Sequence, residues 1–110
     1  MNELVEAYVV DTQFPDVSGI EHIQMLQRRS ELAAMEQGLS RRERRQLADA
    51  DARLVAHASE FLAELARFVD LAEERRRLDV PASHWWWYLD VLVQVPGLSP
   101  RGQEPELVAT

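Results

Sequence analysis

Residues 40–78 run for almost forty positions without a Gly or a Pro, and this stretch limits the possible folds more than any other. Its apolar residues recur at helical spacing. Leu54, Ala58, Phe61, Leu65, Phe68 and Ala72 are separated by alternating steps of four and three, as one face of an α-helix requires. Val55, Leu62 and Val69 widen that face beyond a two-stranded seam, which suits a helix packed on two neighbours. A straight helix of this length would measure about 58 Å. A compact domain of 110 residues has a radius of gyration of about 13 Å. The helix must therefore break, with Asp49-Ala50-Asp51 the expected place, or project and be covered by another chain.

The preceding segment predicts a second helix. Ser18 and Glu21 stand at capping-box spacing, and the apolar pattern carries on to Gln37. Gly38 is placed to close the helix in the left-handed conformation. Ser40 and Glu43 repeat the capping pattern, so only Gly38 and Leu39 join the two helices. So short a connection favours an antiparallel hairpin. His22, Arg29 and Glu36 recur at steps of seven within the apolar arc. They are expected to form a buried polar line that meets Asp51 across the hairpin and specifies its register.

Residues 1–14 read either as a helix, through Leu4, Val5, Tyr8 and Val9, or as a short β-branched strand. Phe14-Pro15-Asp16 ends whichever forms. Asp79-Val80-Pro81 stops the long helix after Arg75, Arg76 and Arg77, cations suited to a helix C-terminus. Ser83 is a candidate cap for a final element, residues 84–95. It holds Trp85-Trp86-Trp87-Tyr88, apolar over most of its circumference whether helix or strand. The fold class expected is all-α: a small bundle built on an antiparallel hairpin with one very long helix. The alternative is α+β with short terminal strands. Residues 1–97 form the expected domain and residues 98–110, with Pro100, Gly102 and Pro105, a loose tail.

The formal charge is −7, unevenly spread. Residues 1–24 carry five acids and no Arg or Lys, residues 28–45 six Arg against three Glu, and residues 49–74 seven acids against two Arg. Such a balance opposes general affinity for nucleic acid. The one local exception is Arg41, Arg42, Arg44 and Arg45, where a helix start could meet DNA. Absence of Cys excludes disulfides and thiolate metal sites. The acidic first ten residues do not resemble a signal peptide, and the apolar runs are too short to span a bilayer. The expected location is therefore cytoplasmic, without membrane contact.

Little chemistry is implied. The sequence has no Gly-rich phosphate loop and no nucleophile elbow, and Ser18, Ser30, Ser40, Ser59, Ser83 and Ser99 mostly stand where caps are expected. His57, Glu60 and Glu64 share a helical face and are the only candidate metal ligands, for a metal-dependent hydrolase. No cofactor is implied, and the balance is against an enzyme. The role expected is protein–protein interaction, as a homodimer or a subunit of a larger assembly. Its expected interface comprises Phe61, Leu65, Phe68, Trp85, Trp86, Trp87 and Tyr88, with Trp86 and Trp87 as anchors because aromatic side chains bury large area at little rotamer cost.

Overall fold

The computed structural model describes residues 2–95, which form six α-helices and no strand. The expected tail, residues 98–110, lies outside the described residues. Helix α1 spans Glu3–Asp11, α2 Gly19–Met35, α3 Arg41–Ala56, α4 Ala58–Leu65, α5 Leu71–Leu78 and α6 Leu89–Leu92, with 3₁₀ turns at Glu36–Gly38 and Trp85–Tyr88. The first segment is therefore helix rather than strand. Asn2 caps it by accepting from the backbone N–H groups of Leu4 and Val5.

Helix α2 runs antiparallel to α3 and α4, packing closely on α4 and reaching α3 through long side chains. Its register can be read from three cross-links: Arg29 meets Asp51, His22 packs on Phe61 and Gly19 lies against Glu64. Helix α1 lies along this pair, running parallel to α3. Asn2 N–H donates to Glu43 at one end, the Tyr8 hydroxyl donates to Asp51 at the middle, and Arg53 donates to Thr12 Oγ1 at the other. Val5, Tyr8, Met25, Leu26, Leu32, Leu47, Ala50, Leu54, Phe61 and Leu65 fill the core between them.

The single very long helix does not form. Residues 40–78 divide into α3, α4 and α5, and the described residues extend at most 43 Å. The first break is at His57 (φ −113°, ψ 25°), where the imidazole Nδ1 lies 2.7 Å from Glu60 Oε1. The helix passes through Asp49-Ala50-Asp51 intact because Asp51 points inward to partners on α1 and α2. The second break follows Leu65. Asp70 there accepts from the N–H groups of Ala72 and Glu73 and starts α5. A carboxylate cap satisfies otherwise orphaned donors, and apolar periodicity alone does not register it.

Other local expectations are also corrected. Gly38 does not take the left-handed conformation. Instead, α2 tightens into its 3₁₀ turn, and Leu39 N–H donates to the Glu36 carbonyl. The left-handed residue is Asp79 (φ 54°) after α5, with Val80 N–H donating back to the Arg75 carbonyl. Ser18 caps α2 by accepting from Ile20 N–H alone, whereas Ser40 and Glu43 form the complete reciprocal box.

Candidate interaction surface

The aromatic run folds as a tight turn rather than a strand or a long helix, and one hydroxyl explains why. Ser30 lies within α2, not at a cap, and its Oγ accepts from the indole Nε1 of both Trp86 and Trp87 at 3.0 Å. A hydroxyl has two acceptor sites and one proton, and the same Oγ lies 3.2 Å from His84 Nδ1, in hydrogen-bond contact. His84 stacks on Trp86 with centroids 4.6 Å apart. From α5, Arg75 reaches the Trp87 carbonyl and both carboxylate oxygens of Asp90, and lies 4.3 Å over the Tyr88 ring.

Trp86 and Trp87 are only 3% and 2% exposed. Both indole N–H groups are satisfied within the chain, so these residues offer no anchor to a partner. Phe61 and Leu65 are also fully buried. Trp85 and Tyr88 are half-buried at the edge of the core. Of the residues expected at an interface, Phe68 alone is open, at 52% exposure. It departs from the buried stripe because α4 stops at Leu65 and the chain turns.

The buried polar line forms in part. Arg29 is 5% exposed and pairs with Asp51 through Nε and Nη2 at 2.9 and 3.1 Å. Its guanidinium carbon sits 4.2 Å over the Trp86 ring, where the π-face attracts cations. Tyr8 donates to the same carboxylate at 2.6 Å. Burial, and then Asp51, push the Tyr8 phenol above its ordinary range, so it remains a donor at neutral pH. Glu36 stays exposed, with its oxygen 4.0 Å from Arg29 Nη1. His22 is buried but leaves the line, its Nε2 bonding to the Pro15 carbonyl at 2.9 Å. Tyr8 and Ser30 were not foreseen as members of these networks. A polar residue inside a helix interior was the available signal for Ser30.

The end of the bundle around α4 has a different character. A methyl group added to Gly19 would lie 2.4 Å from the Glu64 carbonyl oxygen and 2.7 Å from Phe68 Cδ2. Only Gly permits this approach, and it holds the Phe68 ring against the start of α2. Ile20 and Phe14, at the same end, are 55% and 48% exposed. Phe14 lines a small cleft with Val10, Val17 and Glu21. A larger groove of about 530 Å³ opens between Pro15, Asp16, His57, Glu60, Ala63 and Glu64.

That groove holds the three candidate metal ligands. His57 and Glu60 are in contact, but among the described residues no group of three or more His, Cys, Asp or Glu converges on one point. At the opposite end, Arg41, Arg42, Arg44 and Arg45 are all exposed at the start of α3. Arg44 donates to the Gln37 carbonyl at 2.7 Å, and the other three form no ion pair among the described residues. No helix among the described residues is long and apolar enough to cross a membrane. No protein-family model, no curated protein and no solved structure matches this chain.

Proposed function

We propose that this chain is a small helical protein–protein interaction module that meets its partner through the Phe68 end of the bundle. The observation that carries the reading is Phe68 itself, a large aromatic left half-exposed yet held in place against the Gly19 backbone. An aromatic ordered before binding loses little conformational freedom on association and contributes large apolar area. Ile20 and Phe14 extend the apolar character of this end, and Asp16, Glu60, Glu64 and Arg67 supply a polar rim. Interfaces commonly combine an apolar centre with such a rim. The Trp-rich turn supports the role from within, since its latch on Ser30 and Arg75 keeps the core closed.

A photoreactive phenylalanine analogue placed at position 68 tests this reading in cells that express the protein. The expected result is a discrete cross-linked protein species that is absent when the same analogue replaces exposed Ala52 on α3. Cross-linking at position 68 no stronger than at position 52 would overturn it.

A further inference from the structure

Resting on the interaction-module reading, we infer that the occupant of the Phe68 surface is a second copy of this chain, docked through the Arg-rich start of its α3. The two ends of the molecule are complementary. At the Phe68 end of the bundle, Glu64 lies beside the Gly19–Phe68 contact and shares a groove with Asp16 and Glu60, while Arg67 is an exposed cation next to Phe68. The carboxylates of Asp16, Glu21 and Glu64 enter no ion pair among the described residues, and Glu60 contacts only His57. At the other end Arg41, Arg42 and Arg45 stand exposed without carboxylate partners among the described residues, and Arg44 spends one donor on Gln37.

The hairpin register separates these two sets along the bundle. Arg44 meets Gln37 at one end, and Gly19 meets Glu64 at the other. A second copy laid antiparallel, with both patches turned toward it, would place each Arg cluster on the other copy's acidic groove, in a two-fold arrangement that uses both junctions. Guanidinium groups suit both parts of that surface. They pair bidentately with carboxylate and lie flat on an aromatic face such as Phe68. The net charge of −7 repels copies at long range. At physiological ionic strength, charges beyond about 8 Å are screened while contacting pairs persist.

Sedimentation of the full chain with charge-reversed variants tests the inference. One variant carries Arg41→Glu, Arg42→Glu and Arg45→Glu, and the other Asp16→Arg and Glu60→Arg. All of these positions are exposed, and circular dichroism checks that each variant keeps its helical content. The wild type is expected to associate at tens of micromolar. Each variant alone is expected to weaken association by about tenfold or more, equivalent to about 1.4 kcal/mol. An equimolar mixture of the two restores it, because the reversed ends are again complementary. Phe68→Ser, which leaves every charge in place, must weaken association as well.

A wild type that stays monomeric at hundreds of micromolar overturns the inference. So does association that survives both reversals, or a folded mixture that fails to recover. A monomeric wild type that still cross-links from position 68 to a different protein removes the second copy and leaves the interaction role standing. Loss of the cross-link removes both.

Discussion

Arg29 on α2 and Asp51 on α3 face each other across the hairpin in a paired, two-pronged contact, Nε to Oδ1 at 2.9 Å and Nη2 to Oδ2 at 3.1 Å. The Tyr8 hydroxyl closes on the same carboxylate from α1, so one acid ties three helices. Taking a guanidinium out of water is costly unless its charge is met. Asp51→Ala leaves Arg29 buried with only the Trp86 and Tyr8 ring faces and the exposed Glu36 carboxylate, 4.0 Å away, for compensation. It is expected to destabilise the fold by about 3–5 kcal/mol. Tyr8→Phe removes one bond and keeps the ion pair, for about 1 kcal/mol. Urea unfolding of both variants and the double variant gives the coupling directly. Additive losses would show that the three residues do not act as one network.

Ser30 is the corresponding point for the aromatic turn. Ser30→Ala leaves two buried indole N–H groups without an acceptor, each such group costing about 1–3 kcal/mol. The expected loss is about 2 kcal/mol or more, far above that of an ordinary surface Ser. Tryptophan emission should shift to the red at temperatures where far-ultraviolet dichroism is still native, because the turn loosens before the helices melt. Coincident transitions by both probes would show that the turn has no such local dependence on Ser30.

Much of this arrangement was legible in the sequence, and the omissions have physical causes. The antiparallel course followed from a short connection ending in the Ser40–Glu43 cap, although Gly38 does not close α2 as expected, and the Arg29–Asp51 contact from the seven-residue spacing of polar residues in an apolar arc. The breaks at His57 and after Leu65 were not legible. Periodicity reports which face is buried and carries no information about where a helix stops, and the Asp70 cap lies inside a stretch otherwise suited to helix. The fate of the indoles is not legible because apolar area says nothing of where their N–H groups bond. Ser30, more than fifty residues away, answers that question. Phe68 was placed on the buried stripe for the same reason that the long helix was: it occupies the right phase in a helix that has already ended.

Gly19 offers a steric test of how the Phe68 end is built. Gly19→Ala would bring a methyl group within 2.4 Å of the Glu64 carbonyl oxygen, which is backbone and yields only if α4 moves. Overpacking of this kind costs about 1–3 kcal/mol. Thermal unfolding should register that loss, even though Ala at the first turn of a helix is intrinsically favourable. A neutral or stabilising Gly19→Ala would mean that α2 and α4 do not approach as closely as described.

Glu43 gives a pH dependence with a definite sign. Its carboxylate accepts from the Ser40 and Asn2 backbone N–H groups at 3.0 and 2.9 Å, which hold it below the usual glutamate range. A carboxylate whose folded value is depressed contributes stability above its unfolded value and loses it as the pH falls through the folded value. Glu43→Ala should therefore lower the melting temperature most near neutral pH. Its difference from the wild type should narrow as both are taken to about pH 3, below the ordinary carboxylate range. A difference that grows on acidification would contradict the assigned contacts.

Phe68→Ser separates folding from interaction. Leu65 and Phe61, about one and two turns earlier, are fully buried, and truncating either opens a core cavity worth several kcal/mol. Phe68 has half its surface in water and one face on Gly19. Its loss should change unfolding free energy by about 1 kcal/mol or less, while association falls by about tenfold or more. This contrast distinguishes a ring retained for binding from one retained for packing. A core residue loses stability first and association only as a consequence, whereas a docking residue loses association at temperatures where the fold is intact. Measuring both quantities on one Phe68→Ser preparation decides between them, and stability loss as large as that of Phe61→Ala would assign Phe68 to the core.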